Sequence, residues 1–306
     1  MNPSNETPEI KVTIKEDTSL GKRRLTDNFI VVAFITLLLL ILGQILGAFT
    51  LVLPFWNNTD AGITASFYFV FIGIWVVTLL YLRFTKKNRP ILKAIGTKTA
   101  GNTWGKLLLG FLIGFVLNGV CVLAAWLHRD ISLVFYAFQP VSLILVFLSV
   151  FIQSSAEELI CRGFLYQRLM RSYHRPAIAV IGNSLLFAVL HLFNDGVTIL
   201  SLLNIFIVGV FFSLMVYYMD SLWCAFAAHA MWNFTQNIIF GLPNSGIVVP
   251  LSIFKLDAGA AQNSFAYNTG FGIEGTLLAN GILILSCVCI YLWGKRKGKK
   301  PTDIWA

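Results

Sequence analysis

Three apolar stretches of the sequence carry side chains that could do chemistry. The candidate site residues are Glu157, Glu158, Arg162, His191, His229 and Asn233. A carboxylate and two imidazoles around one cavity can bind a divalent metal such as zinc and leave one position for a water that the metal acidifies. They can instead act without a metal, when Glu157 and one histidine polarise the water while the other histidine and Asn233 donate hydrogen bonds to a developing oxyanion. Both routes hydrolyse an acyl bond.

Helical spacing relates these residues in pairs. Glu158 and Arg162 stand four apart and can form an ion pair on one helical face, and His229 and Asn233 share a face in the same way. Glu157 points about 100° away from Glu158, so at membrane depth it needs a second partner or a water-filled cavity. Two plainer alternatives exist: the acidic pair could be solvated beyond the membrane, and a single histidine on an apolar helix is more often a hydrogen-bonded packing residue.

The chain around these groups is unusually apolar. Hydrophobic residues make up 57% of it and charged residues 12%, with a mean hydropathy of +0.76, whereas a soluble domain carries about 25% charged residues. Runs of about 20 apolar residues predict membrane spans. The clear spans are residues 29–53, 61–82, 107–127, 198–219 and 276–293, and the less pure ones are 141–168, 177–191 and 222–239. We therefore predict an all-α polytopic membrane protein with about eight transmembrane helices.

The three less pure spans hold the candidate site residues. At about 1.5 Å of rise per residue, Glu157, His191 and His229 lie at depths that let them meet between the midplane and the cytoplasmic face. His191 lies deepest, so its helix would have to tilt or start later to bring the imidazole level with the others.

Lysine and arginine residues predict the orientation. They cluster before residue 28, between residues 83 and 98, and after residue 294, whereas the opposite loops are nearly bare. By the positive-inside rule this bias predicts a multi-pass protein of the cytoplasmic (plasma) membrane with both termini in the cytoplasm. We expect a cytoplasmic tail at residues 1–28, a membrane domain at 29–293 and a basic cytoplasmic tail at 294–306. The Gly/Asn/Ser-rich residues 241–275 form the one long external segment, whose composition allows mobility.

The formal net charge of +9 comes from these short clusters beside apolar segments. It is therefore explained by topology and does not indicate a nucleic-acid surface. Membrane lipids are the expected partners, nucleic acid is not, and the oligomeric state stays open.

The site residues also occur in a recognisable order. EExxxR at Glu157, Glu158 and Arg162, FxxxH at Phe187 and His191, and HxxxN at His229 and Asn233 resemble the motifs of the CPBP intramembrane proteases. This family includes CAAX proteases and bacteriocin-processing enzymes and is also called the Abi family. The resemblance covers roughly residues 141–233, within an expected protease core at about 141–240.

The resemblance implies an eight-helix fold and cleavage of peptides or prenylated C-terminal tails within the membrane. It also implies that Glu157, His191, His229 and Asn233 form the working site. The family is named for metalloproteases, but a glutamate-activated water without metal has also been argued for its members, so the resemblance leaves both routes open.

We therefore predict an intramembrane endopeptidase that cleaves a membrane-associated peptide or protein tail. One alternative is a non-catalytic bacteriocin-immunity or scaffold membrane protein with the same fold, and another is a polar-substrate transporter that uses the charges as a relay. The intact motif residues favour the enzyme over the scaffold. The lack of an internal sequence repeat disfavours the transporter.

Overall fold

The computed structural model describes residues 28–53, 56, 58–97, 101–173 and 175–306. In this part of the chain the α-helices are α1 Phe29–Ala48, α2 Asp60–Phe69, α3 Ile72–Phe84, α4 Ile91–Ile95, α5 Trp104–Leu127, α6 Pro140–Glu158, α7 Tyr166–Ser172, α8 Pro176–Val189, α9 Ile199–Met219, α10 Leu222–Asn233 and α11 Leu277–Arg296. Two short strands, β1 Leu133–Phe135 and β2 Phe254–Leu256, pair antiparallel. The all-α polytopic fold is therefore confirmed.

Six helical segments of the described chain are long and apolar enough to cross a membrane. They are Phe29–Val52, Asp60–Phe84, Trp104–Leu127, Pro140–Ser172, Ile199–Met219 and Leu277–Arg296. The other two predicted spans are also helical, as α8 and α10, but α8 has only 14 residues and α10 has 12 before it changes to a π-helix. These two shorter helices lie among the longer ones.

Close backbone contact holds α10 against α5. A Cβ atom added at Gly110 would lie 2.3 Å from the carbonyl oxygen of Cys224, and one added at Gly114 would lie 2.2 Å from that of Ala228. Helices in membranes approach closely where small residues face each other, because the hydrophobic effect does little to drive them together in lipid. These two glycines therefore fix the position of the helix that carries His229.

Two π-helical segments interrupt the regular helices. The first, Leu159–Leu165, joins α6 to α7, and the second, Phe234–Ile239, continues α10. Each begins at the residue after a candidate site residue, Glu158 in one case and Asn233 in the other. Short π segments often occur at functional sites, because they turn side chains away from the regular helical register.

Residues 241–275 are folded against the helices. Within this segment Ala266, Tyr267, Phe271 and Ile273 are completely buried, and its strand β2 pairs with β1, which follows α5. The composition of the segment was compatible with mobility, but the buried side chains and strand pairing give it a defined position over the helix ends.

Contacts between loops group them on two sides of the molecule. On one side, Lys93 Nζ donates to the Ala306 carbonyl oxygen at 3.0 Å and the Arg171 guanidinium lies 4.5 Å from the centre of the Trp305 ring. On the other side, β2 pairs with β1. The last residues of the chain thus lie against α4, which follows α3, and against α7.

Candidate active site

A cavity of about 270 Å³ lies between the helices. Four candidate residues line it: Glu157, His191, His229 and Asn233. Glu158 and Arg162 are completely buried behind its wall. The structure therefore brings together the three less pure spans, and it separates the six residues into four at the cavity and two that support them.

Glu157 lies in the last turn of α6 and is partly open to the cavity. Its Oε1 atom accepts a hydrogen bond from Gln153 Nε2 at 2.6 Å, and Oε2 lies 3.8 Å from His229 Nε2. The side chain is 17% exposed. Glu157 thus has both features that a carboxylate at this depth requires, a hydrogen-bond partner and an adjoining cavity.

Glu158 holds His229 as well as Arg162. Its Oε1 atom accepts hydrogen bonds from Arg162 Nη1 at 2.7 Å and from His229 Nδ1 at 3.0 Å. The ion pair that the spacing predicts is therefore formed, and the contact with the histidine was not predicted. Because Nδ1–H donates to Glu158, the Nε2 atom of His229 is directed at the cavity, where Glu157 lies.

Aromatic rings enclose the ion pair. The Arg162 guanidinium lies 4.6 Å from the centre of the Phe187 ring and 5.6 Å from that of Phe212, and Phe212 also stacks on His229 at 5.2 Å. A guanidinium over an aromatic face is attracted to it, most strongly where water is excluded. The rings therefore help to keep a charged group inside an apolar interior.

His191 lies just beyond the end of α8, in a turn rather than inside a span. Its Nδ1 atom donates to the Phe187 carbonyl oxygen at 2.8 Å, and its ring packs against the Phe187 ring at 4.7 Å. With Nδ1 used in this way, Nε2 carries the free lone pair. The four-residue spacing of Phe187 and His191 is thus the spacing that lets the preceding carbonyl orient the imidazole.

Asn233 is held by three neighbours. Its Nδ2 atom donates to Ser154 Oγ at 3.1 Å and to Gln153 Oε1 at 3.3 Å, and its Oδ1 atom accepts from Asn244 Nδ2 at 3.2 Å. Both amide hydrogens are therefore in use. Donation to a substrate oxygen requires Asn233 to give up or share one of these bonds.

Comparison with known families agrees with this arrangement. Residues 139–235 match the family model described as type II CAAX prenyl endopeptidase Rce1-like. The match confirms the resemblance to the CPBP intramembrane proteases, and at the level of the family it supports a membrane protease. It spans α6 to α10 and so includes all six candidate residues. No curated protein and no solved structure matches the chain significantly.

One carboxylate at the cavity lies outside the Rce1-like region and was missed by sequence reasoning. Glu274 is buried; its Oε1 atom accepts from Trp232 Nε1 at 3.0 Å and Asn244 Nδ2 at 3.1 Å, and its Oε2 atom accepts from the backbone N–H and the hydroxyl of Ser245 at 2.5 and 2.9 Å. Burial raises the pKa of the Glu274 carboxyl, and the hydrogen bonds from Ser245 and Trp232 partly oppose that rise. Because Glu274 is a single glutamate in a long segment, neither a motif nor a helical spacing predicts its partners.

The donors at the cavity do not form a metal-binding set. In the described ranges, no group of three or more histidine, cysteine, aspartate or glutamate side chains is arranged to hold a metal ion. His229 uses Nδ1 on Glu158 and His191 uses Nδ1 on Phe187, so each could offer only Nε2. Glu157 and His229 converge, but they provide two ligands where a catalytic zinc site in a protein usually has three.

Proposed function

We propose that the chain is an intramembrane endopeptidase that hydrolyses a peptide bond in a membrane-associated peptide or protein tail. The observation that carries this proposal is the partly open Glu157 carboxylate, 3.8 Å from the Nε2 atom of a histidine whose other nitrogen is fixed by Glu158. A carboxylate and an oriented imidazole facing one cavity are the groups that general-base hydrolysis requires.

In this proposal Glu157 acts as the base. It takes a proton from a water molecule as the water oxygen attacks the carbonyl carbon of the scissile peptide bond. The free Nε2 atom of His191 accepts a hydrogen bond from the other O–H of the water. The C–N bond then breaks, and the proton held by Glu157 passes to the leaving amine. Each step uses atoms of the substrate, the water and residues that line the cavity.

His229 and Asn233 stabilise the oxyanion of the intermediate. When His229 carries both ring protons, Nδ1–H stays on Glu158 and Nε2–H can donate to the developing charge. Asn233 can add a second donor if its Nδ2 atom exchanges Ser154 for the oxyanion. Glu158 already orients His229, so this donor costs little reorganisation at the moment of reaction, and such donors accelerate hydrolysis strongly.

The setting is the cytoplasmic membrane. We propose a membrane domain at residues 29–293 between two cytoplasmic tails, with the cavity closed on its other side by the segment at 241–275. The lysine and arginine bias of the loops supports this orientation, and so do the contacts of the last residues of the chain with α4 and α7.

The first experiment replaces the proposed base. Glu157→Gln keeps the volume and a hydrogen bond to Gln153 but cannot take a proton, so we expect hydrolysis of a quenched fluorescent peptide library to fall by at least about 10²-fold with unchanged thermal stability. Gln139→Glu, at the solvated start of α6, is a control for the exchange of these two side chains. Activity before and after chelation separates the metal and metal-free routes.

The biological readout decides between enzyme and scaffold. If Glu157→Gln retained full activity in the host, the chain would act by binding and not by proteolysis. If Glu157→Gln abolished both the host activity and peptide cleavage while the protein stayed folded, the scaffold alternative would be excluded.

A further inference from the structure

Asn204 is a polar side chain in an otherwise apolar part of the cavity wall. It lies on α9, lines the same cavity as Glu157 and His229, and is completely buried. Within the described chain, neither its Oδ1 nor its Nδ2 atom has a hydrogen-bond partner. By contrast, Asn194, another amide at the cavity, donates through Nδ2 to the Ser245 carbonyl oxygen at 3.0 Å.

A buried carboxamide with both ends unbonded is costly. Buried polar groups in folded proteins nearly always have partners, and the cost of leaving them unbonded is greatest where the surroundings are apolar. The neighbours of Asn204 along the wall are Ile205, Val208 and Phe211, which offer no polar side-chain atoms. Asn204 therefore lies where a ligand with both a donor and an acceptor would satisfy it.

We propose that Asn204 binds the backbone N–H and C=O groups of one substrate residue in an extended conformation. Its Nδ2 atom donates to a substrate carbonyl oxygen, and its Oδ1 atom accepts from a substrate N–H. This inference rests on the proposed function, and it names the substrate class as an extended, largely apolar peptide that is read by its backbone at this position.

The chemistry of a substrate in the cavity supports this pairing. A peptide bond that is to be attacked must leave its helix, and its N–H and C=O groups then lose their internal partners in a region with little water. A carboxamide offers a donor and an acceptor side by side, and the N–H and C=O groups of one residue in an extended chain also point to the same side of that chain. The same contact therefore satisfies two groups on the protein and two on the substrate.

Complete burial of Asn204 adds a further condition. Side chains that line the cavity shield the carboxamide, so a substrate must displace some of them to reach it. Binding through Asn204 is therefore coupled to a rearrangement of the wall, and the contact forms only with a chain that enters the apolar recess.

The first test removes the carboxamide and keeps its size. In Asn204→Leu we expect thermal stability in detergent to be equal or higher, because an unbonded amide is exchanged for an apolar group. We expect KM for the library peptide that is cleaved best to rise about 10- to 100-fold, as for the loss of two hydrogen bonds, with a smaller change in kcat. Asn183→Leu is the matched control, because Asn183 is also completely buried but bonds to Ser213 of α9 at 3.0 Å. Its stability should fall.

The second test changes the substrate. Each amide of the same peptide is replaced in turn by an ester, which removes the N–H donor and weakens the carbonyl acceptor. The ester that removes the bonded N–H should raise KM of the wild type, and the ester at the next amide should raise it less because it only weakens the bonded carbonyl. Neither ester should have a further effect on Asn204→Leu, because that variant has already lost the contact. Additive effects at every position, or a stability loss in Asn204→Leu equal to that in Asn183→Leu, would overturn the proposal.

Binding to an inactive variant separates this inference from the proposed function. Anisotropy with fluorescent library peptides is measured on Glu157→Gln and on the same variant with Asn204→Leu. Weaker binding in the double variant alone supports Asn204 even if no peptide is cleaved by the wild type. Equal binding to the two variants overturns the role of Asn204 and leaves the role of Glu157 to the cleavage assay. No binding to either variant, together with no cleavage by the wild type, overturns the role of Asn204 and the proposed function.

Discussion

At the scale of single residues, Glu158 is the centre of the site although it does not touch the cavity. One of its oxygens accepts hydrogen bonds from Arg162 and from His229. The spacing of Glu158 and Arg162 predicted their ion pair, because four residues along a helix is a local relation. It could not predict the bond to His229, because that bond depends on how α6 and α10 cross.

Arg162 tests whether this buried pair supports the site. In Arg162→Ala, the completely buried Glu158 loses its main counter-ion, so we expect a destabilisation of about 3–5 kcal/mol and a lower folded yield as well as lower activity. Thermal unfolding in detergent measures the first effect. Arg171→Ala is the control, because Arg171 is exposed and stacks on Trp305. Similar small losses in both variants would contradict the structural role given to the pair.

At the scale of helices and loops, the sequence predicted which segments are apolar but not how they end. Apolar runs predicted helices at α8 and α10, and these helices are present. However, α8 ends at Val189, so His191 lies in a turn, and π-helical segments follow Glu158 and Asn233. The position at which such a helix ends depends on contacts with neighbouring helices. These contacts do not change the periodicity of hydrophobic residues, so the sequence pattern does not predict them.

The segment at residues 241–275 shows the same limit more strongly. Its glycine, asparagine and serine content is typical of an exposed loop, yet its asparagine and glutamate side chains reach the cavity. Glu274 accepts from Asn244, and Asn244 donates to Asn233, so the segment orients an amide on α10. Asn244 lies 30 positions and Asn233 lies 41 positions before Glu274 in the sequence, so local spacing could not predict these contacts.

Glu274→Gln tests this connection. The variant replaces one carboxylate oxygen with an amino group, so either Asn244 or Ser245 would face a donor instead of an acceptor. We expect a loss of stability of about 1–3 kcal/mol and a fall in kcat greater than the rise in KM, because the orientation of Asn233 matters in the transition state. Asp257→Asn is the control in the same segment, because Asp257 is exposed. An unchanged kcat in Glu274→Gln would show that the network is structural only.

At the scale of the whole molecule, composition and charge were the informative features. The hydropathy of the chain predicted a polytopic helical protein, and the six long apolar helices of the described chain agree with it. The cavity could not be predicted, because it is bounded by residues from nine helices and from the segment at 241–275. The order of the motifs and the depths of Glu157, His191 and His229 indicated that these residues would meet, but not which other parts of the chain would enclose them.

The orientation of the molecule gives the last prediction. In the proposed orientation with eight crossings, Lys299, in the basic C-terminal tail, would lie on the cytoplasmic side and Asp257, beside β2, on the opposite side. Both residues are exposed, so a cysteine at either position should react with a maleimide that is present on its side of the membrane. In intact cells a membrane-impermeant maleimide should label Asp257→Cys and should label Lys299→Cys only after lysis. The wild type measures the background from its own cysteines. Labelling of both variants in intact cells would place the two positions on the same side of the membrane. The one apolar helix between them, α11, would then not cross the membrane, and the proposed orientation would be wrong.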